Sequence, residues 1–421
     1  MIKQYLKQAF YMLKEAPLIS SISICGTALS ICMILVVVLM FQVQTANYSP
    51  ENARDRTLYV GSVATLNKSD KKKSSVGGMS PGMVKECFYS LKTPIAVSAY
   101  TSWTSPVSIP GKRLYRPYTI KFTDAGFWNI FSFRFLAGQA FTEADFLSGI
   151  PRAVISEGTA KRMYGTKEVV GKSLILNYTE YRICGVVEDV TRAAWTAFSE
   201  IWVPYTASEQ AMATYGEEKI SGTLSLCMMA ADKEDFQAIR TELKGKIAGY
   251  NATKTDLEVD LLNAPVTNLD ILIGSEKAST QGFLMETGLL LLFLLFVPAL
   301  NLTGVTQSAV QKRQAEIGVR KAFGATSGRL LSQILCENCL TTFIGGIIGL
   351  LLSFPILFLT QDFLLPMGTV ALNMDMLFRP GVFAAALLFC LLLNLMSAGI
   401  PAVRMARASI VSTLNNEESK G

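Results

Sequence analysis

The sequence predicts an α-helical membrane protein with four transmembrane helices and an α+β extracytoplasmic domain between helices 1 and 2. Two features of the composition point to a membrane: half of the 421 residues are hydrophobic and only 17% are charged, against about 25% in soluble domains. The apolar residues also fall into four runs, each reaching the ~20 residues that cross a bilayer. The long block between the first two runs is large enough to form its own core.

These runs divide the chain into segments. Residues 1–17 are predicted to form a cytoplasmic interfacial amphipathic helix, because apolar residues recur there at helical spacing opposite lysines; a plain extension of the next helix is the alternative. The others are transmembrane helix 1 at 18–42, the extracytoplasmic domain at 43–282, transmembrane helix 2 at 283–306, a cytoplasmic hairpin at 307–333, transmembrane helix 3 at 334–361, a short extracytoplasmic loop at 362–379, transmembrane helix 4 at 380–401 and a cytoplasmic tail at 402–421.

The first apolar run could also be a cleaved signal peptide. It is longer than the usual apolar core of about 7–15 residues, and no A-x-A-like site follows it. The interpretation that we prefer is therefore an uncleaved transmembrane helix.

Basic residues in the short loops indicate the orientation of the chain. The loop 307–333 carries five Lys or Arg against the single acid Glu316, and the N-terminal segment and the tail are also basic. The positive-inside rule then places both termini and this loop in the cytoplasm and 43–282 outside. The net charge of +6 thus reflects the membrane topology. The sequence has no basic stretch interleaved with aromatic residues, the pattern that would indicate nucleic-acid binding.

The sequence contains no histidine, which excludes Ser-His-Asp, Cys-His and His-metal chemistry. Cys336 and Cys339 form a C-x-x-C, but no second pair completes a zinc site. The segment 165–173 resembles a phosphate loop but has five residues between its glycines where four are needed. We therefore predict no catalytic residue, no metal site and no cofactor on this chain. Three outer cysteines, Cys87, Cys184 and Cys227, allow at most one disulfide.

The outer block alternates between strand and helix signals. A low-complexity stretch at 67–78, "NKSDKKKSSVGG", is predicted to be a solvated loop. The further predictions are a strand at "RAVIS", a short helix closed by Gly165 as its C-cap, a hairpin in "KSLILNYTEYRICGVV", a strand at "TLSLCMMA", a helix with Asp232 as its N-cap and a strand at "DLEVDLL".

The cytoplasmic segment "QSAVQKRQAEIGVRKAFGATSGRLLSQ" is predicted to form a short amphipathic helical hairpin, with a new helix starting at Thr326 or Ser327. A simple positive-inside anchor would explain its basic residues. It would not explain Glu316, Gly318 and the "KAFGA" turn. A protruding amphipathic element of this kind suits docking into a groove on a cytosolic partner.

The stretch "ALNLTGVTQSAVQKRQAEIGVRKAFGATSGRLLSQILCENCLTTFIGGIIGLLLS" resembles the signature segment of the MacB/FtsX superfamily of ABC transporter permeases. The matching positions are Asn301, Arg313, Glu316 through Ala325, Glu337 and the glycines 345, 346 and 349. "LKQAFYMLKEAPLISSISICGTALSI" and "PAVRMARASIVSTLNNE" are similar to the two ends of such permeases, although Ile410 replaces the usual Pro. The outer stretches "FWNIFSFRFLAGQAFTEADF" and "YGTKEVVGKSLILNYTEYRICGVVED" resemble the MacB-type periplasmic domain.

The resemblance implies a function. Such permeases lie in the bacterial inner membrane, dimerise and bind two cytosolic ATPase subunits, whose ATP-driven closure is passed to the periplasmic domain as mechanical work. It implies that a separate ATPase chain holds ATP and Mg. It also implies that the permease dimer consists of two identical or two related chains, and that these chains contact membrane lipid. MacB-like systems often work with a periplasmic adaptor and an outer-membrane channel.

The resemblance also implies roles for individual residues. Ile317, Val319, Ala322 and Phe323 would form the apolar contact with the ATPase, Arg320 and Lys321 would meet acidic groups on it, and Gly318 and Gly324 would allow close approach and the turn. The predicted ATPase-coupling set also includes Arg313, Glu316 and Ala325. Asn301, Glu337, Gly345 and Gly349 would pack the membrane helices or the dimer. Ordinary explanations remain for three of them: a capping or interfacial role for Glu337, and the general frequency of glycine in membrane helices for Gly345 and Gly349.

The expected function is export or efflux of a peptide, drug or lipid-linked substrate. Two alternatives stay open: an FtsX-like regulator of envelope enzymes, and an ATP-independent membrane-anchored sensor or scaffold. The predicted hairpin argues against the sensor, which would need a cytoplasmic output domain.

Overall fold

The computed structural model describes residues 17–112, 115–272 and 326–364, together with residues 381, 384–385, 387–389 and 391–392. The chain divides into two compact units. The helical unit comprises Met1–Gln42, Phe283–Gly368 and Leu372–Gly421, and the sheet unit comprises Val43–Gly282 and Thr369–Ala371.

The described helices are, in chain order, α1 Pro17–Thr45, α2 Pro81–Met83, α3 Phe127–Ile130, α4 Glu143–Leu147, α5 Glu157–Tyr164, α6 Phe236–Ala252, α7 Asn268–Leu272 and α8 Ser327–Leu364. The strands are β1 Thr57–Val60, β2 Val63–Asn67, β3 Lys73–Met79, β4 Ala96–Ser108, β5 Arg116–Thr123, β6 Phe135–Gly138, β7 Arg152–Ser156, β8 Ser173–Leu176, β9 Thr179–Val187, β10 Ile201–Pro204, β11 Thr214–Tyr215, β12 Ser221–Gly222, β13 Ser225–Met229, β14 Leu257–Asp260 and β15 Val266–Thr267.

Within the described ranges, α8 is the one helix that is long and apolar enough to cross a membrane, through its stretch Cys339–Ile356. It begins at Ser327, where the sequence predicts a new helix, and contains predicted helix 3. Predicted helix 1 falls within α1. Predicted helix 2, most of predicted helix 4, the interfacial helix 1–17 and the predicted hairpin before Thr326 lie outside the described residues, so the count of four stays a prediction.

The described residues of the sheet unit form two sheets. The ten-stranded main sheet has the order β15-β1-β13-β4-β5-β10-β7-β9-β6, and β8 pairs with both β4 and β9. The smaller sheet has the order β11-β12-β3-β2-β14. Most neighbours are antiparallel, whereas the β5–β10 and β7–β9 pairs are parallel. With helices placed against the sheets, this is the predicted α+β fold.

The main sheet buries both of its faces, because side chains alternate between the two faces along each strand. Leu58, Ile120 and Phe122 belong to the core that includes Ile239 and Leu243 of α6. Tyr59, which follows Leu58 on β1, lies in a second, aromatic core on the opposite face. That second core also contains the buried side chains of Tyr100, Phe127, Phe131 and Trp202.

Most local predictions for the outer block are confirmed. "RAVIS" is β7, and α5 ends at Gly165, whose φ of 75° is the left-handed geometry that a C-cap glycine supplies. The predicted hairpin is β8–β9, and "TLSLCMMA" and "DLEVDLL" contain β13 and β14. The predicted helix after Asp232 begins as a 3₁₀ turn, Lys233–Asp235, and continues as α6.

The prediction of a solvated loop at 67–78 is wrong. This stretch turns and then forms β3, which pairs with β2 on one side and β12 on the other. Lys73 and the three residues after it are exposed, so the strand lacks the apolar alternation that sequence patterns detect. Its backbone pairs mainly with β2 in a local hairpin, and β12 joins it at Gly78 and Met79. Cys87, Cys184 and Cys227 are all free thiols.

Lys121 of β5 is a buried cation on the aromatic face of the main sheet, only 2% exposed. Burial lowers its pKa to about 8 from the ordinary value of 10.5. Between those two pH values the unfolded chain binds more protons than the folded chain, so wild-type stability rises with pH in this window.

Lys121→Met removes this linkage. We expect the free energy of unfolding of the wild type, minus that of the variant, to rise by about 2 kcal/mol between pH 7 and pH 9.5. The measurement is denaturant unfolding of the full chain in detergent, followed by tryptophan fluorescence, because all four tryptophans lie in the sheet unit. A difference that is constant over this range contradicts the prediction.

Candidate coupling site

The predicted site residues fall into two groups in the structure. Glu337, Gly345 and Gly349 lie on α8. The others lie outside the described residues, so their roles stay predictions: Asn301, Arg313, Glu316, Ile317, Gly318, Val319, Arg320, Lys321, Ala322, Phe323, Gly324 and Ala325.

Gly345 and Gly349 lie where α8 meets α1 within the same chain. A Cβ added at Gly349 would lie 2.6 Å from the carbonyl oxygen of Ala28, and one at Gly345 would lie 2.9 Å from Cβ of Thr27. Residues four apart occupy the same face of a helix, so the two glycines form one seam along which the α1 backbone approaches closely. Contact of these glycines with a second copy stays a prediction.

We expect Gly349→Ala to destabilise the helical unit by about 1–3 kcal/mol, because the methyl group has to push the α1 backbone away. Gly328→Ala is the matched control, since a Cβ at that α8 position meets no heavy atom within 4 Å. The measurement is the temperature at which detergent-solubilised protein leaves the monodisperse peak in size-exclusion chromatography. Equal losses in the two variants would show that the seam is not close-packed.

The C-terminal end of α1 is bound by a buried arginine of the sheet unit. Arg54 Nη1 donates to the carbonyl oxygens of Val43, Gln44 and Ala46 at 3.2, 3.1 and 3.2 Å. The last carbonyls of a helix have no partner within the helix and carry its negative dipole end. A guanidinium is well suited to this position, because it is always charged and presents several donors in one plane.

Glu51 pairs with Arg54, and both side chains are 0% exposed. Glu51 Oε2 lies 2.6 Å from Arg54 Nη2 and 2.7 Å from Nε. Its other oxygen, Oε1, accepts hydrogen bonds from the backbone N–H groups of Thr196 and Ala197 at 3.0 and 2.8 Å. Arg54 Nη2 also donates to the carbonyl oxygen of Ala193 at 3.0 Å. Both charges therefore keep hydrogen-bond partners, which a buried ion pair requires.

We call this arrangement the Arg54 node: Glu51, Arg54, the carbonyls of 43–46 and the segment 191–197. Tyr48 completes it, because its hydroxyl accepts from Arg54 Nη2 at 2.8 Å and its ring lies 4.4 Å from the Arg54 Cζ. Burial raises the pKa of Tyr48 to about 12. Burial alone would lower the pKa of Arg54, but Glu51 and Tyr48 outweigh it and raise that pKa. Arg54 therefore stays protonated throughout the physiological pH range.

Helix α7, the last described element of the sheet unit, is hydrogen-bonded to the same node. Asn268, the first residue of α7, donates from Nδ2 to the carbonyl oxygen of Gln44 at 2.9 Å. Its Oδ1 accepts a hydrogen bond from Trp195 Nε1 at 3.1 Å. The entry segment 43–46, the exit helix α7 and the segment 191–197 are thus joined by side-chain hydrogen bonds.

Sequence reasoning missed the Arg54 node. The available signal was an acid and an arginine three residues apart, Glu51 and Arg54, directly after the first apolar run. Such an ion pair on the surface would contribute little to the stability of the fold. Its importance comes from burial, and burial depends on the segment 191–197, which lies about 140 residues away in the sequence.

Two family models match the chain. The MacB-like periplasmic core domain matches residues 20–246, and the FtsX-like permease C-terminal domain matches residues 288–410. The chain belongs to the MacB/FtsX family of ABC transporter permeases. It is therefore a membrane permease with a periplasmic domain, as the sequence resemblance implies.

Curated relatives are distant. The chain is 25% identical over 232 residues to the uncharacterized ABC transporter permease YknZ of Bacillus subtilis, covering 55% of each protein. It is 22% identical over 323 residues to the macrolide export ATP-binding/permease protein MacB of Chromobacterium violaceum, covering 76% of this chain and 47% of that protein. The pyoverdine export ATP-binding/permease protein PvdT of Pseudomonas syringae is 24% identical over 70% of this chain and 42% of that protein. The chain spans about half the length of these relatives.

A solved structure is also similar. The periplasmic region of MacB from Actinobacillus actinomycetemcomitans matches at 15% identity with a TM-score of 0.38, covering 54% of this chain and 95% of that one.

Breaking one side of the buried pair should be costly. We expect Arg54→Met to lower the free energy of unfolding of the sheet unit by about 3–5 kcal/mol, because Glu51 is left as an unpaired buried charge. Adding Glu51→Gln should recover part of that loss. The matched control is Arg152→Met, since Arg152 pairs with Asp145 at 3.3 Å while about a third of its side chain is exposed. Denaturant unfolding monitored by tryptophan fluorescence distinguishes these outcomes, and equal losses at both arginines would contradict this account.

Proposed function

We propose that this chain is the permease subunit through which a separate cytosolic ATPase performs work in the periplasm. The observation that carries the proposal is the Arg54 node, which binds the end of α1 to the interior of the sheet unit. A helix end held by a buried, fully hydrogen-bonded arginine cannot shift without moving the groups that it contacts. The node is therefore a route by which movement of α1 reaches the periplasmic domain.

The route has two ends. In the helical unit, α1 packs against α8 along the glycine seam, and α8 begins at Ser327, inside the predicted hairpin 307–333. In the sheet unit, the segment 191–197 leads into β10, and Trp202 of that strand donates from Nε1 to the carbonyl oxygen of Ala197 at 3.1 Å. Since α1 is one continuous helix, Pro17–Thr45, it is the element that we infer carries a displacement from α8 to the Arg54 node.

The cytosolic end is the predicted coupling hairpin, 307–333. Its apolar residues, with Ile317 and Phe323 among them, would enter a groove on the ATPase, and Arg320 and Lys321 would meet acidic groups there. The ATPase would hold ATP and Mg, and two permease chains in the bacterial inner membrane would pair with two ATPase subunits. The names of the relatives MacB and PvdT favour export as the work performed, with an adaptor and an outer-membrane channel as further partners.

Docking is tested by purifying the full chain from its host and identifying a co-purifying ATPase. We expect Glu316→Ala/Phe323→Ala to lose most of the bound ATPase. The matched control removes an acid and an aromatic from the sheet unit, Glu180→Ala/Tyr178→Ala, where both side chains are exposed. Retention of the ATPase by the hairpin variant would refute the assigned docking residues.

Transmission is tested separately with Arg54→Lys in the complex with that ATPase. Lysine keeps the charge but cannot reach the three carbonyls and Glu51 together. We expect ATPase binding to be unchanged, while the nucleotide-dependent change in hydrogen exchange at 191–197 is largely lost. The control Arg152→Lys should retain that change. A wild-type response in Arg54→Lys would show that movement reaches the periplasmic domain by another route.

A further inference from the structure

A cavity of about 520 Å³ opens on the aromatic face of the main sheet. Tyr59, Tyr100 and Lys121 contribute to its floor from β1, β4 and β5, and Trp195, Phe198 and Val266 are among its apolar walls. This volume is within the range of about 300–1,000 Å³ that is typical of small-molecule sites. Apolar walls around a few converging polar groups are also typical of such sites.

The charge of Lys121 is not balanced inside this cavity. Its Nζ donates to the carbonyl oxygen of Thr196, lies 3.5 Å from that of Trp195, and is 5.2 Å from the centre of the Tyr100 ring. Across the described part of the chain, Lys121 forms no ion pair with a carboxylate. Glu51, the acid with an electrostatic effect on Lys121, is already paired with Arg54. An ammonium has three donors, and one remains after the two carbonyls.

Tyr59 adds a second, independent polar group. Its side chain is 1% exposed, and its hydroxyl has no hydrogen-bond partner among the described residues. Buried hydroxyls in native proteins are nearly always hydrogen-bonded, so one without a partner at a cavity wall needs an explanation. The Tyr59 ring lies 5.5 Å from the Trp195 ring, and both residues line the cavity.

We propose that this cavity binds a small water-soluble organic anion, in which a carboxylate or sulfonate is attached to an aromatic or aliphatic body. The anionic oxygens accept hydrogen bonds from Lys121 and Tyr59, and the body packs against Trp195, Phe198 and Val266. An anion at this position balances the buried ammonium, and the apolar walls favour a ligand that also buries a hydrophobic surface. The proposal goes beyond the coupling function and holds whether or not an ATPase docks on the hairpin.

The test uses 6-fluoro-2-naphthoate as the anionic probe and 6-fluoro-2-naphthalenemethanol as its neutral counterpart. Binding to the full chain in nanodiscs is measured by ¹⁹F line broadening, with empty nanodiscs to subtract partition into lipid. We expect wild type to bind the naphthoate saturably and the alcohol about tenfold more weakly. Lys121→Met should weaken naphthoate binding about tenfold and leave alcohol binding unchanged.

Two further variants make the result specific. Tyr59→Phe keeps the ring and should weaken naphthoate binding about threefold to tenfold, as expected for one lost hydrogen bond. Lys172→Met is the matched control, because Lys172 also lies over a tyrosine ring, at 5.3 Å from Tyr164, but is exposed; naphthoate binding should not change. Tryptophan-monitored melting shows whether each variant is folded.

Three results would overturn the proposal. They are no saturable naphthoate binding to wild type, equal binding of the acid and the alcohol, and an unchanged naphthoate affinity in both Lys121→Met and Tyr59→Phe. If Lys121→Met fails to fold, Tyr59→Phe and the comparison of the two probes decide the question. Loss of ATPase docking in the hairpin experiment would leave this result unaffected.

Discussion

The sheet unit depends on the burial of one guanidinium beside the end of a helix. Arg54 satisfies carbonyls that α1 cannot satisfy itself, and Glu51 neutralises it while receiving two backbone N–H groups from a distant segment. Removal of both charges from water is costly, and only the completeness of the hydrogen bonding offsets it. This requirement holds the segments 43–46 and 191–197 in one arrangement, and Asn268 of α7 joins both through Gln44 and Trp195.

The same arrangement explains why the cavity lies where it does. The segment 191–197 covers part of the aromatic face of the main sheet, and Trp195 is both a partner of Asn268 and a wall of the cavity. The Arg54 node and the cavity therefore share a structural element. A ligand beside Trp195 would contact the segment that Glu51 and Arg54 hold.

The two units use different physics to bring elements together. In the helical unit, close approach of α1 and α8 depends on the absence of side chains at Gly345 and Gly349, because packing rather than burial of charge stabilises membrane helices. In the sheet unit, burial of charged and aromatic side chains determines the geometry. The spacing of the two glycines can be recognised from the sequence because both residues lie on one helix. The α1 surface that they contact, at Thr27 and Ala28, can be identified only from the tertiary structure.

The sequence by itself determined the class of protein, the place of the apolar helices α1 and α8, the α+β character of the outer block and several strands with local patterns, such as "RAVIS" and the β8–β9 hairpin. These features follow from composition and short-range periodicity, which need no knowledge of distant residues. The tertiary structure alone decided that 67–78 contains a strand, that Glu51 and Arg54 are buried, and that Lys121 and Tyr59 line one cavity. The burial of the two charges and the assembly of the cavity depend on partners far away in sequence, and burial, which changes the energy of a charge or a hydroxyl, exists only after the chain has folded.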